Sequence, residues 1–242
     1  MKKPWRFVKR NKMDDRMDLK NEKKVIAILP MRGGSERIKN KNISLVNHRP
    51  LYEYAIRTLL KCNFIDKIVI NTDIEEILDR YQTDDRFIIL RRKEDLRGNS
   101  NINGVIHDTL ERINGRVDGE YFIQLHATNP LLTSETIDNS IIHFFENQEK
   151  GDSLFSVTKQ QKRLWDENGP LNHKLNDSPT TQDLKYHFEE NSCFYIFNRE
   201  SFFKNKNRIG EKPIMFETPL LESFDIDTLD ELNIIEKLLR FE

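Results

Sequence analysis

Cysteine is nearly missing from this chain. Cys62 and Cys193 are the only two in 242 residues, far apart and with no metal-ligand spacing. That excludes a disulfide scaffold and a cysteine-rich metal site, and two packed, reduced thiols point to a cytoplasmic protein. Long apolar runs are missing as well. None approaches the roughly 20 residues that cross a bilayer, so no membrane span is expected, and the amino terminus lacks the apolar core of a signal peptide. Net charge is small: 39 Lys and Arg against 40 Asp and Glu leave −1. General binding of nucleic acid or of a membrane by the whole surface is therefore not expected. Internal repeats and low-complexity tracts are absent too. What is present, 37% hydrophobic and 33% charged residues, suits a polar enzyme domain long enough to bury one substantial core.

Within that composition the stretch from Ile28 to Asn42 stands out. A five-residue apolar run, Val25 to Leu29, stops at Pro30 and opens into Met31-Arg32-Gly33-Gly34-Ser35-Glu36-Arg37-Ile38-Lys39-Asn40-Lys41-Asn42. The unbroken run predicts a strand buried on both faces, as in a parallel sheet. Gly33 and Gly34 allow close approach of backbone to a ligand. Arg32, Arg37, Lys39 and Lys41 supply the charge to hold a polyphosphate. In open α/β sheets such a loop lies at the carboxyl ends of the strands, where ligands bind. The loop matches neither GxxxxGK[ST] nor GxGxxG, so it is neither of the two commonest nucleotide motifs.

The first 22 residues carry eight Lys or Arg against four Asp or Glu, with Trp5, Phe7 and Val8 between them, and read as a basic extension (1–22) ahead of one domain (23–242). From Lys24 strands and helices alternate. Strands are expected at Lys67–Asp73, Phe87–Leu90, Tyr121–Leu125, Ser153–Thr158 and Cys193–Phe197. Helices are expected at Leu51–Lys61, Ile102–Ile113, Thr136–Phe145 and from about Thr228 to Leu239. This cadence implies βαβ units and a mostly parallel α/β sheet flanked by helices. Lys159 to Phe188 breaks the rhythm with polar residues, Pro170 and Pro179, and reads as an insertion of loops or short hairpins.

Several expected strand ends are polar and would gather on one sheet edge: Thr72-Asp73, Arg91, Gln124 to Asn129, Glu190-Asn191 and Ser223 to Asp227. In Asp225-Ile226-Asp227-Thr228 the two carboxylates lie two apart and share one face of an extended chain. They suit either a Mg²⁺ ion shared with substrate phosphates or simple capping of the helix that follows. Beside a cationic loop on the same edge, metal binding gains weight.

These residues resemble the cytidylyltransferases that activate acidic sugars, the acylneuraminate cytidylyltransferase (CMP-sialic acid synthetase) family. Its ARGGSKRIPGKN-type loop looks like Met31 to Asn42. Its later landmarks look like Asn71-Thr72-Asp73, Leu90-Arg91-Arg92, Gln124 to Leu131, Asn191 to Phe197 and Asp225-Ile226-Asp227-Thr228, in order from about Val25 onward. The resemblance implies a Rossmann-like, GT-A-like nucleotidyltransferase fold and transfer of CMP from CTP to the hydroxyl of a sialic or other nonulosonic acid, releasing pyrophosphate. By position it implies that Arg32 and Lys41 contact the triphosphate, with Gly33, Gly34, Ser35 and Arg37 closing the loop. Asn42 would reach the ribose or base, and Arg91 and the Asn99-Ser100-Asn101 turn would read cytosine. Gln124 and Asn191 would lie on the acceptor side, and Asp225 and Asp227 would hold Mg²⁺, with Arg32, Lys41 and Asp227 central to catalysis.

It also implies a homodimer built partly from residues 159–188, where Leu164, Trp165, Leu171, Leu175 and Leu184 are apolar residues a lone loop could not bury. The departures are Glu36 and Met31 in the loop, Glu189-Glu190-Asn191-Ser192 ahead of the late strand, and no evident arginine in the insertion to bind the acceptor carboxylate. They leave the acceptor open, including other hydroxy or phosphonate acids. A GT-A glycosyltransferase is the alternative enzyme class, but it would place an acidic pair after a mid-chain strand, where Gln124-Leu125-His126 stands. A non-catalytic nucleotide-binding protein is the other alternative, opposed by the intact Arg32, Lys41, Asp225 and Asp227.

Overall fold

The computed structural model describes residues 23–35, 37–98, 100–176 and 180–239. The expectation for the basic segment 1–22 lies outside these residues, as do Glu36 and Asn99.

The first strand is β1 (Val25–Met31). It runs two residues past the apolar stretch and through Pro30. Its parallel pairing with β6 (Tyr121–Leu125) ends at Ile28↔Gln124, while pairing with β4 (Ile65–Thr72) continues to Met31↔Thr72. The proline thus sits where only one flank of the strand is paired, which tolerates its missing N–H. Short strands β2 (Leu45–Val46) and β3 (Arg49–Pro50) form a hairpin off the sheet. The main sheet is completed by β5 (Phe87–Arg91), β7 (Ser153–Gln160), β10 (His187–Asn198) and β11 (Pro213–Glu217), in the order β11-β7-β10-β6-β1-β4-β5. Only β10 runs antiparallel to its neighbours, so the sheet is mostly parallel, as expected.

Burial on both faces explains the unbroken apolar runs. Val25, Ala27, Leu29 and Met31 face one side of the sheet, packed with Tyr52, Ala55, Ile56 and Leu59 of α1 (Leu51–Lys61). Ile137, Ile141 and Phe144 of α4 (Ser134–Glu146) belong to that same layer. Ile26 and Ile28 face the other side, with Ile106, Leu110 and Ile113 of α3 (Ile102–Ile113) and Phe202 of α5 (Arg199–Asn205). The short α2 (Glu75–Leu78) follows β4, and α6 (Leu229–Leu239) comes last in the chain.

A third apolar cluster matters most for the site. Ile38 from the basic loop, Val46, Leu51 and Tyr54 pack with Ile226, Ile235 and Leu239. Ile226 is fully buried, which stabilises its segment by about 1.5–3 kcal/mol. Because the chain there is extended, burying the middle residue turns Asp225 and Asp227 the other way.

The interruption at 159–188 is smaller than expected. Lys159, Gln160, His187 and Phe188 are strand residues that pair β7 with β10, and the excursion between them holds the hairpin of β8 (Trp165–Asp166) and β9 (Gly169–Pro170). Trp165, Leu171, Leu175, Tyr186 and Phe188 on this arm are exposed, whereas Leu184 is buried.

Candidate functional site

A cleft of about 610 Å³ opens at the carboxyl end of β1, lined by the loop after it, by the turn before α3, by the segment after β6 and by the segment before α6. Its first wall is the predicted basic loop. Gly33 N–H donates to Asp73 Oδ1 at 2.7 Å, pinning the loop to the end of β4. Gly34 takes φ = 67°, the left-handed region that favours glycine. A Cβ on Gly33 would meet only ordinary contacts, so of the pair Gly34 is the one its backbone requires. Asn42 is buried and its amide donates to Arg32 O at 2.8 Å, so it holds the loop's shape as well as lining the cleft. Arg32 reaches across to Gly98 O at 2.7 Å. Ser35 lines the cleft, and Lys39 is exposed outside it.

The acidic segment closes against this loop. Lys41 Nζ donates to Ile226 O at 2.7 Å and to Asp227 Oδ1 at 2.9 Å, and Arg37 pairs with Asp227 Oδ2 at 2.9 Å. Partial burial pushes Asp227 up, but the hydrogen bonds and charges of Lys41 and Arg37 outweigh it and hold the carboxyl below its usual range. Asp225 goes the other way: burial raises it, with Thr128 and Lys41 opposing. Its Oδ1 is buried with no hydrogen-bond partner. A buried, orphaned carboxylate oxygen beside a second carboxylate is a hard-oxygen donor set. Among the described residues no group of three or more His, Cys, Asp or Glu could hold a metal. The donors therefore fit a cation that completes its shell from substrate and water, and not a closed structural site.

The third wall holds Gln124, His126, Ala127, Thr128 and Ser192. Gln124 is fully buried. Ser192 has φ = 58° and sits in the irregular stretch of β10 between Glu190 and Tyr195. Asn191 lies outside the lining, its amide spent on Thr158 Oγ1 at 3.0 Å and Thr218 Oγ1 at 2.7 Å, where it ties β10 to β7 and to the end of β11.

The turn expected to read the base is placed in part. Ser100 lines the cleft; Asn101 caps α3 by accepting from Asn103 N–H at 2.9 Å and does not line it. Arg91 does not line the cleft either. It is exposed and ion-paired with Glu75 of α2. Its neighbour Arg92 lines the cleft, buried, with its guanidinium on Asn71 Oδ1 at 3.1 Å and Asn71 O at 2.9 Å. The paired arginines were visible in the sequence, but which of the two turns inward was not. Two further residues had been passed over: His126, inside the Gln124–Asn129 segment, and Arg208, which carries no motif.

The cytidylyltransferase family model matches residues 26–242. The chain belongs to the cytidylyltransferase family. Family membership, together with the missing acidic pair after β6, sets aside the glycosyltransferase alternative. Among curated relatives it is 27% identical over 230 residues to the CMP-N,N'-diacetyllegionaminic acid synthase of Legionella pneumophila, covering 89% of this chain and 96% of that protein. It is 25% identical over 228 residues to the pseudaminic acid cytidylyltransferase of Campylobacter jejuni, covering 90% and 97%. The N-acylneuraminate cytidylyltransferase of Escherichia coli is 26% identical over 213 residues, 84% of this chain and 49% of that longer protein. Among solved structures, CMP:2-keto-3-deoxy-manno-octonic acid synthetase complexed with CTP superposes with a TM-score of 0.63 at 11% identity, covering 90% of this chain and 99% of the other. The 4-diphosphocytidyl-2C-methyl-D-erythritol synthase of Anaerococcus prevotii gives 0.64 at 14% identity, covering 96% and 100%. At those identities the likeness is one of fold, and it agrees with the Rossmann-like nucleotidyltransferase sheet expected. Among the described residues no helix is long and apolar enough to cross a membrane.

Proposed function

We infer that this cytidylyltransferase transfers CMP from CTP to the hydroxyl of an acidic nonulosonic sugar and releases pyrophosphate. The observation that carries the reading is one cleft with Arg32, Arg37, Lys41 and Arg92 on one side and the Asp225–Asp227 pair against them. Relatives named for legionaminic, pseudaminic and neuraminic acids support the acceptor class. Attack on the α-phosphorus builds negative charge that preorganised cations stabilise, so positioning and electrostatics do most of the work. Lys41 lies deep in the cleft, with a side chain only 15% exposed. Arg37, at 65%, is free to swing from Asp227 to a phosphate. Arg32 spans from the loop to the Gly98 turn and is set to grip the triphosphate between them. Arg92, which lines the cleft where Arg91 does not, would take the role expected of Arg91 at the base or ribose.

Asp225 and Asp227 would hold Mg²⁺ here; when bound, the ion would neutralise the triphosphate and the charge developing on it. Displacement of Arg37 and Lys41 from Asp227 by phosphates would free that carboxylate for the ion. The exposed apolar arm, with Trp165 at 55%, Leu171 at 61% and Leu175 at 69%, supports a homodimer that covers it, since aromatic anchors are enriched at interfaces. The two cysteines, both unpaired, suit a cytoplasmic enzyme.

The test is incubation with Mg²⁺, each of the four nucleoside triphosphates in turn, and N,N'-diacetyllegionaminic, pseudaminic or N-acetylneuraminic acid. Pyrophosphate release with CTP and at least one acid is the expected result. Release only with another nucleotide would overturn the base assignment, and none with any acid would overturn the acceptor class.

A further inference from the structure

One arginine that does not line the cleft organises the wall opposite the basic loop. Arg208 lies between α5 and β11, with its guanidinium over the Tyr195 ring at 3.5 Å from the centroid. Its Nη1 donates to Gln124 Oε1 and lies 3.3 Å from His126 Nε2. Its backbone N–H donates to Asn103 Oδ1 of α3 at 3.2 Å. Beneath it, the Tyr195 hydroxyl meets the Glu190 carboxylate and Ser192 Oγ. Gln124 Nε2 is taken up by Leu125 O at 2.8 Å, so that amide is held at both ends.

A guanidinium can only donate. The His126 Nε2 it faces must therefore accept, which leaves the ring proton on Nδ1. His126 lines the cleft, and its Nδ1 has no hydrogen-bond partner among the described residues. The charges around it come from three elements: Arg208 behind it, Lys41 from the loop after β1, and Asp227 ahead of α6, with Glu190 beyond Tyr195. Burial and the two cations hold the ring neutral, with its pKa pushed down to about 3, against the pull of Asp227. A neutral donor at this wall separates two anions that must not exchange places. The triphosphate is drawn to the cations of the basic loop, and a carboxylate can be recognised here by a neutral donor whose neighbouring guanidinium is already engaged with Gln124 and Tyr195.

We propose that Arg208 is the positioning residue of the acceptor half: by holding Gln124 and His126 in place it presents the Nδ1–H of His126 as a fixed, uncharged donor to the carboxylate of the acceptor acid. This rests on the reading of the cleft as a CMP-transfer site.

The experiment compares the wild type with Arg208→Met and Arg208→Lys, using CTP, Mg²⁺ and whichever of the three sugar acids the wild type uses. Arg208→Met should raise the acceptor KM about tenfold or more while the CTP KM stays within about twofold. Its acceptor KM should also depend more on pH on the acid side than the wild type's, because the ring loses one of the two cations that act after burial to hold its pKa down. Arg208→Lys should restore most of the acceptor KM. Nitrogen NMR of the wild-type ring should show the Nδ1–H tautomer, a reading that survives even if Arg208→Met does not fold. Equal rises in both KM values, an unaltered acceptor KM or an Nε2–H tautomer would each overturn the assignment while leaving CMP transfer standing. Absence of any transfer by the wild type would overturn both.

Discussion

The basic loop and the β7–β10 arm are opposites in how they use apolar residues. In the loop, Ile38 anchors a run of cations to the same apolar cluster that holds Ile226. The cations on either side of Ile38 are thereby tied to a core through the backbone they share with it. On the arm, Trp165, Leu171 and Leu175 stand exposed in and just after the β8–β9 hairpin, and of its apolar residues named above only Leu184 is buried. The first region shows apolar contact spent inside the subunit to preorganise polar groups. The second shows apolar surface left over, which fits a surface completed by another molecule.

The contrast breaks most severely at the carboxylates. Asp225→Asn and Asp227→Asn should each fold and lose at least ~100-fold in turnover, about 2.7 kcal/mol in the transition state. Asp227 is half-buried and Asp225 Oδ1 has no hydrogen-bond partner to lose, so neither amide is expected to unfold the protein. Near-full activity of both across a Mg²⁺ titration would sink the metal assignment.

Next come the loop cations. Arg32→Ala and Lys41→Ala should weaken CTP binding or turnover by roughly 10–100-fold, in the range for losing a charge-assisted contact. Lys39→Ala, outside the cleft, should change either by less than about twofold. Equal losses at all three positions would mean the loop acts through net charge alone.

A smaller effect tests the shared anchor. Ile226→Val removes one methylene from a fully buried site and should cost about 0.5–1.5 kcal/mol in denaturant unfolding. It should also raise the CTP KM, because loop and carboxylates rest on the same cluster. A loss of stability with an unchanged KM would show that the cluster supports the fold without preorganising the site.

The arm should give the smallest change in the subunit itself. Trp165→Ala is expected to shift folding stability by no more than about 0.5 kcal/mol, yet lower the mass seen by light scattering from twice 28.9 kDa toward 28.9 kDa. A wild-type protein already at the monomer mass rejects the dimer, and a dimer indifferent to the change rejects Trp165 as its anchor.

How much of this could be read from the residues depended on whether a signal was local. The strand Val25–Leu29, the loop after it, the Asp225–Asp227 pair and the helices at 51–61 and 102–113 each carry their pattern within a few residues, and the structure has them. Strand β11 was missed because Pro213-Ile214-Met215-Phe216-Glu217 is a short edge strand with three of its five residues exposed and none fully buried. Its burial is supplied by pairing with β7, some 60 residues earlier. Helix α5 was missed for its length; seven residues hold too few turns to show a period. Arg91 and Arg92 differ by one position, and in a strand that is the difference between opposite faces. Arg92 lies just past the end of β5, and its inward turn is set by its bonds to Asn71 of β4, which the residues alone do not mark. Arg208 had no signal, since its role comes from contacts with Gln124, His126 and Tyr195, which lie far from it in the chain.

The pairing of Lys41 with Asp227 spans 186 positions. During synthesis at about 5–20 residues per second, the cationic loop therefore precedes its acidic partner by about 10–40 seconds. Throughout that interval Arg37 and Lys41 lack the carboxylate they pair with, and Ile38 has no Ile226 to pack against. Two of the loop's cations thus gain their carboxylate only with the segment made just before the last helix.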